Sequence, residues 1–351
     1  MTYALTDLKQ LADAPHDDII DVRAPAEFAE DHIPGAINLP VLSDAERARV
    51  GTIYVREDRF LARKIGAALV ARNAAAHIEG PLADRGGGWR PLVHCWRGGQ
   101  RSGSFASILG QIGWRADVLE GGYRTYRRLV SALLYDAPLD LDVVLVDGNT
   151  GMGKTHILHH LARAGAQVID LEGLANHRGS NFGGLSGGQP SQKMFESRLA
   201  EQLVALDPTR PLFLEAESTS VGKLLLPPSL WAAMGRARVV RVEAPVEARA
   251  RFLTRAYPDL VEDADLLHAR IERLRPYQPK DRIAMWHKQA DQGLFVPLAE
   301  ELIAHHYDPR YRRTGREGRV EIGTVTLDDL AEADLSGAAE RILKLAESVP
   351  G

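Results

Sequence analysis

The sequence predicts an α/β protein, with two parallel-sheet domains followed by a mostly helical C-terminal region. Short β-rich apolar runs alternate with stretches of helical periodicity, the alternation ends near residue 130 and restarts at Val143, and two glycine-rich turns each join an apolar run to a helical one. A chain of 351 residues is long enough for two or three domains with cores of their own. With 45% hydrophobic and 26% charged residues, and 43 basic against 47 acidic side chains, it is neither disordered nor fibrous. There is no uncharged apolar run of about 18 residues, and the start, MTYALTDLKQ, lacks a basic segment leading into an apolar one, so the expected location is the cytoplasm, away from membranes. The single cysteine, Cys95, excludes internal disulfides and Cys-based zinc fingers.

In the first domain, expected over 1–130, the runs at 19–22, 91–93 and 115–119 read as strands, and 102–112 carries apolar residues at helical spacing before the Gly121-Gly122 turn. Residues 131–142, SALLYDAPLDLD, read as a linker. The second domain, expected over 143–300, opens with a strand at 143–146, a glycine-rich turn and a helix from Lys154. Runs at 167–169, 211–214 and 239–242, separated by helical stretches such as 192–206, extend a parallel sheet. Residues 301–351 read as a helical and basic extension, and 181–189 as a glycine-rich loop expected to be mobile.

The turn of the second domain reads Gly148-Asn149-Thr150-Gly151-Met152-Gly153-Lys154-Thr155, which satisfies G-x-x-x-x-G-K-[ST] between an apolar strand and a helix, the context a P-loop requires. In such a loop, backbone N–H groups and the helix N-terminus surround a phosphate chain, Lys154 adds a point charge and Thr155 can ligate Mg²⁺. Any diphosphate ester offers the same oxygens, so the motif leaves the ligand open. Glu215 and Glu217 close the run PLFLEAES, where an acidic group would touch metal or substrate; His177 and Arg178 follow the second strand, on the side where substrate lies in such folds. The LSGGQ at 185–189 spells the signature of ABC-type ATPases, yet it follows Lys154 by only about thirty residues, too few for the helical subdomain that separates the two motifs there; loop composition accounts for it.

The other turn reads HCWRGGQRS, from His94 through Cys95 and Arg101 to Ser102. A ring of loop N–H groups, a helix N-terminus and Arg101 would stabilise the Cys95 thiolate and make it a nucleophile. Two basic segments, YRTYRR at 123–128 and RYRRTGREGR at 310–319, mix Arg with Tyr or Gly. Arg124, Arg127, Arg128, Arg310, Arg312, Arg313, Arg316 and Arg319 are candidates for phosphate contacts along a nucleic-acid backbone, with Tyr311 placed to stack on a base.

Upstream of the cysteine, DVRAPAEFAEDHIPGAINLP at 21–40 resembles the N-terminal signature of rhodanese domains, which carry a persulfide on a loop cysteine. The resemblance covers about residues 5 to 130. The spacing of Cys95 and Arg101 is that of HCx₅R phosphatases, whose wider loop holds a tetrahedral oxyanion, so phosphatase stays open on this feature alone. Taken together, CWRGGQRS, GNTGMGKT, LEGLANHRGSNFG at 171–183 and HHYDPRY at 305–311 resemble the tRNA 2-selenouridine synthase family over nearly the whole chain. That resemblance implies a rhodanese-like domain joined to a P-loop domain, acting as a transferase on the wobble uridine of tRNA. It further implies conversion of 2-thiouridine to S-geranyl-2-thiouridine with geranyl diphosphate, then to 2-selenouridine with selenophosphate. Cys95 would serve the selenium step and the 148–155 loop the diphosphate; no DDxxD prenyl-transfer motif is present, which leaves Lys154 and the loop amides as the stabilisers. No tightly bound cofactor is implied beyond Mg²⁺; the implied partners are tRNA through its anticodon region and an enzyme that supplies selenophosphate. Two other readings compete: a sulfurtransferase or HCx₅R phosphatase fused to a nucleotide-binding, kinase-like domain, and a nucleotide-controlled RNA-binding module.

Overall fold

The computed structural model describes residues 1–180, 182–311 and 319–349, Tyr311 by its backbone alone. The chain forms two compact units, residues 1–137 with 190–205, and 138–189 with 206–351.

The first unit is built on a five-stranded parallel sheet in the order Thr2–Tyr3, Asp117–Leu119, Pro91–His94, Asp18–Asp21, Ile37–Asn38. The central strand Pro91–His94 is buried throughout, as a strand covered on both faces must be, and its apolar side chains join Phe105 and Leu109 of helix Gln100–Ile112 in one core. The signature at 21–40 proves to be scaffolding. Arg23, 1% exposed, makes a bidentate pair with Asp21 and donates to the Asp31 carbonyl, while Asn38 Nδ2 donates to the carbonyls of Asp21 and Arg23. A buried guanidinium is tolerable only when its donors are met in this way.

Helix Gln192–Val204 departs from the expectation of a continuous second domain over 143–300: it belongs to the first unit although the chain on both sides of it belongs to the second. It buries Phe195, Leu199 and Ala200 completely, and its polar side chains are met inside that unit. Glu196 takes Arg127 and, at 2.6 Å, the Tyr135 hydroxyl; Ser197 donates to Asp31 at 3.1 Å. Apolar periodicity says that a helix has a buried face, not which sheet buries it. The expected linker at 131–142 begins as helix, since Tyr123–Ser131 runs on into a π-helical turn through Asp136.

The second unit carries a five-stranded parallel sheet in the order Val320–Thr326, Arg238–Glu243, Val143–Asp147, Leu212–Glu215, Gln167–Val168. Helices Lys154–Arg163 and Glu332–Ser348 cover it through Ile157, Leu161, Leu335 and Ile342. The 301–351 segment thus holds more than a helical extension: 320–326 is the edge strand, and its mixed exposure explains why VEIGTVT carries weak alternation. Helices from Val246 to Leu302 form a second apolar cluster around Trp286, Leu298 and Leu302. Among the described residues no helix is long and apolar enough to cross a membrane.

Candidate functional site

In the first unit, Cys95 sits between strand Pro91–His94 and the N-terminus of helix Gln100–Ile112, 4% exposed. Gly98 has φ +63°, and a Cβ there would fall 2.5 Å from the Leu119 carbonyl oxygen, so only glycine lets the loop close against the next turn. The Cys95 carbonyl accepts the Tyr123 N–H at 2.9 Å, and that of Trp96 the Arg124 N–H at 3.1 Å. On the sulfur side, Ser102 Oγ donates at 3.2 Å and the Gly99 N–H at 3.4 Å. Burial alone would push the thiol up, but hydrogen bonds from the Ser102 hydroxyl and the Ser102, Arg97 and Gly99 amides outweigh it and hold the pKa below its ordinary value.

Arg101 is not part of that ring. Its Nη1 lies 2.8 Å from Glu27 Oε2, which Arg47 also contacts, so the charge expected at the thiolate is neutralised beside it. Ser102 takes the expected role with a neutral donor. His94 is fully buried and lies 3.9 Å from Asp21 Oδ1; desolvation lowers its pKa from the ordinary value, against the charge of Asp21. Asp31 is held protonation-prone by burial, opposed by the hydroxyls of Tyr123 and Ser197. Of the basic run at 123–128, Arg124 and Arg128 are exposed, whereas Arg127 turns inward to Glu196 and the Lys193 carbonyl.

In the second unit, the P-loop opens a cleft of about 680 Å³. Gly151 and Gly153 take φ +84° and +67°, and Gly153 precedes helix Lys154–Arg163, whose first-turn amides face outward for an anion. Lys154 Nζ donates to the Gly148 carbonyl at 2.8 Å, and Thr155 Oγ1 to Glu172 Oε2 at 2.8 Å. Two side chains distant in sequence brace the loop. Arg249 Nε and Nη2 donate to the Thr150 carbonyl at 3.0 and 2.7 Å, and Asp308 accepts from Arg249 and, at 3.0 Å, from Asn149 Nδ2. Asp308 lies in the HHYDPRY run, whose role the sequence left open; nothing local marked Arg249.

The carboxylates divide. Glu217 lines the cleft, whereas Glu215, wholly buried, accepts the Glu172 N–H at 2.7 Å and positions Glu172. Burial, then repulsion from Asp170, Glu217 and Glu172, raises Glu215 well above its ordinary value. Burial and the charge of Glu217 push Glu172 up to about 7, with Lys154 and Thr155 opposing; burial raises Glu217 also, against Lys154 and a hydrogen bond with Glu172. Glu172 is the functional candidate that sequence reasoning passed over, though it stands inside LEGLANHRG. Among the described residues no three His, Cys, Asp or Glu side chains are grouped to hold a metal ion.

His177, Arg178, Arg310 and Arg319 line the same cleft, so with Lys154 four cations face it. Arg178 pairs with Asp259 at 2.9 Å and stacks on Tyr257. Arg310 lies over Tyr277 and donates to His306 Nδ1 at 2.8 Å; burial, then the Arg310 charge, pushes His306 down to about 4. Arg312, Arg313 and Arg316 lie outside the described residues, as does the Tyr311 side chain. Of the glycine-rich loop at 181–189, expected to be mobile, the described stretch 185–189 is tied by side chains. Asn176 Nδ2 donates to the carbonyls of Ser186 and Gly188, and Gln189 Nε2 to those of Ala175 and Val221, so LSGGQ is a pinned turn.

Two family models match the chain: tRNA 2-selenouridine synthase AAA domain over residues 141–272 and Rhodanese-like domain over 4–129. A tRNA 2-selenouridine synthase of Aeromonas salmonicida is 34% identical over 93% of this chain and 82% of its own length. One of Pseudomonas fluorescens is 34% identical over 92% and 95%. With that of Nitrosomonas europaea, identity is 35% over 68% of this chain, and the match spans 62% of that relative's length.

Proposed function

The chain belongs to the tRNA 2-selenouridine synthase family and is an enzyme of the tRNA-modifying transferase type, and we propose that it exchanges the sulfur of a wobble 2-thiouridine for selenium in two steps. In the first, the thiouridine sulfur attacks C1 of geranyl diphosphate. The S–C1 bond forms, the C1–O bond breaks with its electron pair leaving on diphosphate, and the N3 proton is lost. Lys154 and the loop amides stabilise the leaving charge, and Glu172, its pKa pushed up to about 7 by burial and the charge of Glu217, accepts the proton. Thr155 and Glu217 are the side chains that would hold Mg²⁺ beside a bound diphosphate, where it would supply positive charge to the leaving group.

In the second step selenium from selenophosphate bonds to C2, geranyl thiol departs with the C2–S electron pair and a proton, and water takes the phosphoryl group as phosphate. The amides at 97–102 and the low-pKa Cys95 suit that step, since the amide ring can hold the selenophosphate oxyanion beside the thiol. The observation that carries the reading is the presence in one chain of a P-loop cleft lined by Lys154, Arg178, Arg310 and Arg319 together with carboxylates, and a thiol held toward ionisation in a different unit. A phosphatase would need Arg101 turned into the loop, whereas Glu27 holds it.

The test is mass analysis of nucleosides from 2-thiouridine tRNA. Geranyl diphosphate alone is expected to produce the S-geranyl nucleoside, and adding selenophosphate the 2-selenouridine. Unchanged nucleosides under both conditions overturn the proposal.

A further inference from the structure

Beside the P-loop cleft, the second unit holds a smaller pocket of about 80 Å³ whose walls are almost wholly apolar, among them Leu253, Leu260, Phe295, Leu298 and Leu302. It is continuous in its lining with the cleft: Thr150, Ser180, Leu253, Tyr257 and Tyr307 border both. Three of these make a polar collar, since the side chains of Tyr257 and Tyr307 both hydrogen-bond with Ser180, which also accepts the Phe182 N–H at 3.2 Å. Inward of the collar, the named wall offers a base or ribose little to hydrogen-bond with.

A base or ribose placed in this pocket would have to bury its polar edges against those leucines without partners, which is costly. A hydrocarbon tail has no such requirement, and each buried methylene adds affinity. The volume sets the scale, since a site holding one water takes about 10–15 Å³ and 80 Å³ therefore admits roughly five to eight water-sized groups, the size of a five- to eight-carbon chain.

We propose that this pocket is the tail site of an allylic diphosphate, with the diphosphate on Gly148–Thr155, C1 at the Ser180–Tyr257–Tyr307 collar, and the hydrocarbon between helices Val246–Ala256 and Phe295–Leu302. The inference rests on the transfer reading above and adds to it the tail's location, a length limit well short of fifteen carbons and no gain in affinity from a nucleoside in place of the tail. The tyrosine rings at the collar also place π-electron density where positive charge develops on C1 as the C–O bond opens.

The experiment measures binding of geranyl diphosphate, farnesyl diphosphate, ADP and inorganic diphosphate to the full chain. Wild type should bind geranyl diphosphate at least about tenfold more tightly than inorganic diphosphate, ADP or farnesyl diphosphate. Val261 and Phe295 line the pocket and are only partly buried, so substitutions there are compatible with folding. Val261→Trp, which fills the pocket, should remove the geranyl advantage while inorganic diphosphate still binds; that retained binding also shows the unit is folded. Phe295→Ala, which enlarges it, should improve farnesyl diphosphate relative to geranyl diphosphate. Geranyl diphosphate binding no better than inorganic diphosphate, or an unchanged preference in both variants, overturns the tail site while leaving the P-loop reading in place. ADP preferred over geranyl diphosphate, or diphosphate binding undiminished in Lys154→Ala, overturns the transfer reading itself.

Discussion

The two loops of this chain are variations on one device. Each follows a buried parallel strand, turns on glycines with positive φ and ends at a helix N-terminus, where unpaired amides favour negative charge. They differ in what surrounds the amides. The loop at 95–102 is closed: the sulfur is 4% exposed, its donors are neutral, and the nearby Arg101 is committed to Glu27. The loop at 148–155 opens on a wide cleft where four cations face two carboxyls of raised pKa. A small closed ring can hold one ionised sulfur or a small oxyanion; an open cleft can admit a diphosphate together with the group attacking it. The same backbone motif therefore meets two different surroundings according to side chains that arrive from elsewhere.

That contrast breaks most visibly at Cys95. Cys95→Ala is expected to abolish the selenated nucleoside while the S-geranyl nucleoside accumulates at the wild-type rate, as followed by mass analysis; loss of both would mean that the loops act as one site. Ser102→Ala sharpens it by removing a hydrogen bond to the thiolate. The Cys95 pKa should climb toward its ordinary value of 9.0, read from the ultraviolet absorbance of the thiolate against pH. An unmoved titration would assign the stabilisation to the amides alone.

Lys154→Ala should slow geranyl transfer by about a hundred- to a thousandfold. Selenation of tRNA that already carries the S-geranyl group should persist.

Glu172→Gln should slow geranyl transfer by about a hundredfold, since the proton acceptor is lost, and the wild-type rate should rise with pH through about 7. Stability moves in the opposite sense. A carboxyl whose folded pKa is raised favours the folded state when protonated, so its contribution is complete below 4.5 and is lost as pH rises through about 7. The glutamine variant should therefore melt higher than wild type above that pH and show no such gain below 4.5. Identical pH dependence in the two proteins would remove Glu172 from the titrating pair.

The smallest effects concern RNA. Replacing the exposed Arg124 and Arg128 by Ala should flatten the dependence of log affinity for tRNA on log salt by about 1.4 to 1.8 if both touch phosphate. Arg127→Ala should leave that slope unchanged and instead cost about 1–3 kcal/mol in urea unfolding, because Glu196 loses a charged partner in a buried setting. A reversed outcome would put Arg127 on the RNA and its neighbours in the scaffold.

Both strand–glycine–helix turns, the parallel sheets and the positions of Cys95 and Lys154 were legible in the sequence, because strand burial, helical periodicity and glycine's freedom at positive φ are properties of a few neighbouring residues. The partners of those turns were not. Glu27 meets Arg101 across 74 positions, Arg249 meets the Thr150 carbonyl across 99, and Asp308 meets Asn149 across 159. No local pattern encodes such pairs, since each depends on two elements being packed side by side. The allegiance of helix Gln192–Val204 and the edge strand Val320–Thr326 were decided in the same way, by which neighbouring helices could bury the helix's apolar face and which strand edge could meet the new strand's amides. What the residues near each loop could specify alone was a turn of amides at a helix N-terminus; whether it became a closed ring around a thiol or an open P-loop cleft was decided only when distant side chains were brought to it.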